Sequence, residues 1–412
     1  MVTLKAFKAF RPRRDLTDKI AALPYDVYNE AEARAEVLHQ PDSFLAVDRA
    51  ETSFPEGTDP YSPQVYRQAG KLLWQMAEQG KLLQDSSESL YLYELTMNGR
   101  SQTGIVGLAS VDDYCNGVIK KHENTRADKE EDRVRHVTVC NAHTGPIFLA
   151  YRSTAVIQQL VADAKAEEPV FDFTSPDGIR HRGWQIEDTA AIEQLTQAFG
   201  LLSHAYIADG HHRAASAVRV ALNKRKEHPD YTGKEDFNYF LSVFFPDEEL
   251  YIMDYNRVVR DLNGRSKTEL LTLLQREFTI TPLPKAQRPT QKGSFSMLLG
   301  GKWYMLSLRE PVIAKNPVDE LDVSILQNQV LGPLFGIGNP KTDPRIDFVG
   351  GIRGLEELER RVSTDMAVAF ALYPTSIGEL FNVADAGLLM PPKSTWFEPK
   401  LRSGLFIHKI EE

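Results

Sequence analysis

The feature that most constrains this chain is the run Ala205-Tyr206-Ile207-Ala208-Asp209-Gly210-His211-His212-Arg213-Ala214-Ala215. An apolar strand turns through Asp-Gly into a helix of small residues. Gly210 can take a backbone conformation closed to other residues, and the first amides of the helix that follows have no partner within it. A turn built this way suits a phosphate. His211 and His212 would add charge-assisted donors at the helix start, and Arg213 can grip two phosphate oxygens at once. Asp209 has three open roles: capping the helix, holding a metal ion that bridges phosphates, or accepting a proton from a substrate hydroxyl. The plainer alternative, an Asp-Gly turn with surface histidines, accounts less well for a strand leading directly into a helix.

The rest of the chain alternates short helical and strand patterns without repeats or low-complexity tracts. Ser62-Pro63 opens a helix that places Val65, Tyr66, Ala69, Leu72, Leu73 and Met76 on one face, and Gly80 is its expected end. Three turn signals predict hairpins: Asn98-Gly99 between Leu90–Leu95 and Gly104–Val111, Pro176-Asp177-Gly178 between Val170–Phe173 and Arg182–Ile186, and Gly300-Gly301 between Phe295–Leu299 and Trp303–Leu308. The expected class is therefore α+β, with mixed sheets, several hairpins and flanking helices. A weak stretch at Thr281–Gly293, and a new helix–strand series starting at Asp261, place a boundary near residue 262. The expected domains are 1–261, which carries the phosphate turn, and 262–412.

Composition narrows the function. With 48 basic and 57 acidic side chains the net charge is −9, which leaves no excess cation for a nucleic-acid backbone. No apolar run approaches the roughly 20 residues of a membrane helix, and the N-terminus has no signal-peptide core. The expectation is a soluble cytoplasmic protein with no nucleic-acid or membrane partner. Cys115 and Cys140 stand apart without metal spacing, so each reads as a small hydrophobe rather than a nucleophile.

Three further segments carry possible chemistry. In Lys120-Lys121-His122-Glu123-Asn124-Thr125, the Glu123 carboxylate beside His122 could act as general base or hold a metal ion. In the run Asp128–His143, Lys129, Asp132, Arg133 and His136 share one helical face, and a charged stripe of this kind is ordinarily a solvated face. In Met390-Pro391-Pro392-Lys393-Ser394-Thr395, prolines stand where a Walker A loop would need backbone donors. A stiff approach could instead hold Lys393, Ser394 and Thr395 against a ligand, or be a rigid edge segment with an exposed lysine. Leu23-Pro24-Tyr25-Asp26-Val27 reads locally as a turn with a packed aromatic. No GxSxG, HExxH, EF-hand or GxGxxG pattern is present.

Taken in order, Leu23–Val27, His122–Thr125 with Lys129, Asp132 and Arg133, Pro146–Tyr151, Asp209–Arg213 and Met390–Lys400 resemble the family known as domain of unknown function 1015 over nearly the full length. The Asp-Gly-His-His-Arg turn is also similar to the phosphate loop of the ParB and sulfiredoxin superfamily, which includes free-serine kinases that activate serine with a glutamate. That resemblance implies phosphate contacts at Gly210, His211, His212 and Arg213; Lys129, Arg133, Lys393, Ser394 and Thr395 are further candidates for nucleotide contact. It also places Asp209 beside the reacting oxygen or metal and makes Glu123 the candidate for the activating glutamate, and His122 is a further catalytic candidate beside it. The chain departs from the usual family pattern at Asn124, where arginine is commoner, and at Tyr255-Asn256-Arg257, where a His-Arg pair is commoner. The function implied is a small-molecule phosphotransferase acting between ATP or ADP, with Mg²⁺, and a hydroxylated metabolite such as serine. The alternatives are a nucleotide- or metabolite-binding regulatory protein without catalysis, and a phosphoserine phosphatase.

Overall fold

The structure, a computed structural model, describes residues 1–411. The chain divides into two compact units. The first comprises Met1–Leu250 together with the chain from Pro399 onward, and the second is Tyr251–Glu398. The division thus falls at Tyr251 rather than near 262, and the C-terminal segment goes back to the first unit. Both units combine sheets and helices without strict alternation, which is the α+β class.

The first unit is built on an eight-stranded mixed sheet. Its strands are β1 (Leu90–Met97), β2 (Arg100–Ser110), β3 (Ile119–Lys120), β4 (Ile147–Tyr151), β5 (Phe171–Thr174), β6 (Arg180–Ile186), β7 (Ala205–Asp209) and β8 (Tyr239–Pro246). Their spatial order is β3-β7-β4-β8-β2-β1-β6-β5. Asn98 and Gly99 both have positive φ and join β1 to β2 as the sequence expects, and Pro176-Asp177-Gly178 lies in the loop between β5 and β6. Helix α1 (Pro63–Glu78) starts at the expected proline. Helix α2 (Ala127–Cys140) carries the charged stripe, and helix α3 (His211–Glu227) follows β7.

Ala214, Ala217, Val218 and Ala221 of α3 are buried with Ile207, Ile147, Leu149, Phe240 and Phe244 in one core. Small side chains at this helical spacing let α3 lie close to the sheet. Strand β3 runs parallel to β7, and β7 runs antiparallel to β4. The ends of β3 and β7 and the start of β4 therefore meet at one edge. That topology gathers His122, Asp209–Gly210 and Gly145–Pro146.

In the second unit, β9 (Tyr255–Val259), β10 (Phe278–Leu283), β11 (Ser294–Leu299), β12 (Lys302–Leu308), β13 (Ile346–Gly350) and β14 (Val368–Leu372) form an antiparallel sheet in the order β10-β12-β11-β14-β9-β13. Gly300-Gly301 makes the expected hairpin between β11 and β12. The weak stretch at Thr281–Gly293 begins inside β10, an edge strand, where Pro282 is tolerated because the neighbouring strand lies on one side only. No helix among the described residues is long and apolar enough to cross a membrane.

Candidate functional site

Gly210 has φ +89° and ψ 31° and is the N-cap of the 17-residue α3. Its left-handed backbone favours glycine, and the Arg213 guanidinium is folded over it, since a Cβ added there would lie 3.0 Å from Arg213 Nε. Arg213 Nη1 donates to the Pro146 carbonyl at 2.8 Å, which pins its guanidinium at the sheet edge. Among the described residues no side chain caps this helix start. Asp209 does not cap it; its Oδ2 lies 3.7 Å from Arg213 Nη2 and 3.6 Å from Lys400 Nζ. Burial would raise this carboxyl, but Lys400 and Arg213, with a smaller contribution from His211, hold it well below the usual carboxylate range.

His122 follows β3, and its ring stands edge-to-face against His211, with centroids 4.5 Å apart. Both rings are buried, and among the described residues His122 Nδ1 and His211 Nε2 have no hydrogen-bond partner. Burial lowers His122 to about 4, against a backbone hydrogen bond at Ile207 that works the other way. Burial and then the neighbouring His122 push His211 down as well. Burial keeps these imidazoles neutral at pH 7, so the expected charge-assisted donation by His211 does not arise, and the cations beside Asp209 are Arg213 and Lys400. His212 Nε2 accepts the Arg126 amide at 3.0 Å and so ties the start of α3 to that of α2. Glu123 is half-buried and adjoins His122.

The charged stripe of α2 is not a solvated face. Asp132, Arg133 and His136 are 7, 8 and 3 % exposed, and only Lys129 reaches outward, donating to the Tyr61 hydroxyl at 3.2 Å. The reason is that α1 and the segments around Tyr25 and Asp48 supply polar partners. Tyr66 donates to Asp132 at 2.9 Å, Asp132 pairs with Arg133, the Tyr25 ring packs 4.0 Å from the Arg133 guanidinium, and His136 contacts the Val47 carbonyl. Burial pushes the Tyr25 phenol up to about 12 even with Arg133 beside it. Cys140 is buried on the same helix and burial raises its thiol to about 12, as suits a small hydrophobe, whereas Cys115 is exposed.

Lys393, Ser394 and Thr395 belong to the second unit. Lys393 has φ +58° and its ammonium lies 5.6 Å from the Tyr255 ring centre. Ser394 donates to the Pro391 carbonyl at 2.6 Å and its own carbonyl accepts from Thr375, so its hydroxyl closes a local turn. Among the described residues no group of three or more His, Cys, Asp or Glu side chains converges as a metal site.

Sequence reasoning did not single out Lys400, Asp48, Thr144 or Ser403. Lys400 lay inside the Met390–Lys400 motif, but nothing local distinguished it from Lys393. The other three become visible only through the fold.

The family described as Protein of unknown function (DUF1015) matches residues 4–324. The chain belongs to this family. No curated protein matches it. Among solved structures, a free serine kinase in complex with AMP aligns at 13% identity and TM-score 0.33, covering 71% of this chain and 86% of that one. SbnI with a C-terminal truncation from Staphylococcus aureus aligns at 12% identity and TM-score 0.38, covering 74% and 87%. A conserved hypothetical protein from Pyrococcus furiosus aligns at 14% identity and TM-score 0.34, covering 74% and 95%. Alignments at this level assign no activity to this DUF1015 member.

Proposed function

We propose that the protein binds a nucleotide's phosphates at the Asp209–Arg213 turn and moves a phosphoryl group between that nucleotide and a small hydroxylated metabolite. One observation carries the reading: an uncapped helix start behind a left-handed glycine, with a guanidinium folded over it. Helix-start amides and fixed cations are the parts that phosphoryl transfer needs, because its barrier is lowered mainly by positioning and by spreading negative charge. Arg213 and Lys400 supply the charge in this scheme, and Gly210 lets the phosphates approach the backbone.

The roles of the two acids separate. Asp209 is held ionised by two cations and is a poor proton acceptor, since a base far below the working pH takes a proton weakly. Its suited role is to orient Lys400 and Arg213. Glu123 is the proposed general base: it takes the proton of the acceptor hydroxyl as that oxygen bonds to the terminal phosphorus and the bond to the leaving oxygen breaks. When bound, Mg²⁺ would supply charge neutralisation at the phosphates, and at such sites it is carried by one or two carboxylates rather than by a protein cage. Asp209 and Glu123 are the carboxylates that would stand beside it.

The test is phosphorus NMR of the protein with Mg²⁺, ATP or ADP and a pool of hydroxylated metabolites that includes serine. A new phosphomonoester resonance is expected. Glu123→Gln should lower turnover at least 100-fold while keeping nucleotide binding, and Arg213→Ala should weaken binding itself. Wild-type activity in both variants, or no transfer with any nucleotide, would overturn the proposal.

A further inference from the structure

A second polar constellation lies in the first unit. We propose that the cavity bordered by Tyr25, Arg133, Thr144, Gly145, Arg213 and Ser403 binds a small oxyanion group, a carboxylate or a phosphate. The cavity has about 30 Å³ of internal space, enough for a water molecule or the head of a small anion. This inference needs only the cavity and does not rest on phosphoryl transfer.

Arg133 directs Nε and Nη2 at the same Asp132 oxygen, at 3.0 and 2.9 Å, and its Nη1 has no partner among the described residues. The residue is more than nine-tenths buried. The Tyr25 hydroxyl likewise makes no hydrogen bond among the described residues, although its ring holds the Arg133 guanidinium in place at 4.0 Å. Arg213 spends Nη1 on Pro146, while its Nη2 stays beyond hydrogen-bond distance of Asp209.

Three side chains with unspent donors therefore border one small space. Donors that the protein itself does not engage, set in the wall of a small cavity, are available to a ligand. The acid that borders the same cavity, Asp48, does not meet them: it accepts from Thr144 at 3.2 Å and lies 4.0 Å from His136. An ionised carboxylate or phosphate offers acceptors only, which is the complement of this lining. Gly145 lets two of the lining side chains close on this space, because a Cβ there would stand 3.2 Å from Ser403 Oγ and 3.4 Å from Arg213 Nη1.

The experiment is calorimetric titration of the full-length protein with formate, acetate and inorganic phosphate at low ionic strength. At least one should bind saturably. Tyr25→Phe, which removes one oxygen and leaves the ring on Arg133, should weaken that binding about fivefold or more, and Arg133→Met should weaken it at least 50-fold. Tighter binding of the carboxylates would identify a carboxylate group, and tighter phosphate binding a phosphoryl group. Should Arg133→Met fail to fold, Tyr25→Phe decides alone. Absence of saturable binding by all three anions, or wild-type affinity in the variants that fold, would overturn the site.

Discussion

At the scale of single residues, the clearest consequence of the fold is that the phosphate turn is flanked by neutral histidines. His122 is titratable near pH 6.5 when unfolded and only near 4 when folded. Between those values the unfolded chain binds the extra proton, so stability must fall as pH is lowered from about 6.5 to 4 and be unaffected by this group above 7. The full shift corresponds to about 3 kcal/mol. His211 has its folded value lowered in the same direction and adds to the slope. His122→Gln keeps a donor for the backbone at Ile207 and removes the titration. It should lower stability at pH 7 by roughly 1 kcal/mol and flatten the decline toward pH 5. Denaturant unfolding of both proteins at pH 7, 6 and 5 checks this, and parallel pH dependences in the two would rule it out. The residue types of the turn could be read from the sequence, because Asp-Gly-His-His-Arg is a local pattern. Their charge states could not, since these depend on how deeply the fold buries each ring.

At the scale of elements, Glu94 shows how the sheet fixes a buried charge. It stands on β1 directly opposite Arg182 on β6, and it also takes the Lys165 ammonium and the Thr103 hydroxyl. Burial raises this carboxyl, but Lys165 and Arg182 bring it below its ordinary value. A lowered carboxyl stabilises the fold above its unfolded value near 4.3, and that contribution is lost as pH falls through the folded value. Glu94→Gln should therefore cost roughly 1.5–3 kcal/mol near neutrality, the lower part of the range being favoured because both cations are partly exposed and can turn to water. The difference from wild type should be steady between pH 6 and 8 and shrink below pH 4. Thermal unfolding across that range measures it; a difference that grew in acid would refute the assignment. The hairpins were legible at this scale because turn dipeptides specify their own backbone geometry. The α2 stripe was not: helical spacing shows which residues share a face, but only Tyr66 on α1, the Tyr25 ring and Val47 determine that this face turns inward.

At the scale of the whole molecule, the least legible feature is the return of the C-terminal segment to the first unit. His408–Lys409 pairs antiparallel with Ala142–His143, and His143 and His408 face each other with their Nδ1 atoms 3.1 Å apart. Contacts across such a sequence distance leave no local periodicity or turn signal, so a boundary drawn from composition could not anticipate them. The return also delivers Lys400 to Asp209 and Ser403 to the cavity beside Arg213. Leu401, Leu405, Phe406, Ile407 and Ile410 are all buried. At about 1.5–3 kcal/mol per fully buried apolar side chain, the segment contributes on the order of 10 kcal/mol, as much as the net stability of an ordinary domain. A chain ending at Glu398 should therefore lose the cooperative unfolding of the first unit, while the β9–β14 sheet, which draws no strand from the deleted segment, keeps its order. Hydrogen exchange resolves the two: amides of β4, β7 and β8 should exchange freely in the truncated chain, and those of β9, β11 and β14 should stay protected. Protection of β7 at the wild-type level would mean that the segment covers the first unit without holding it together.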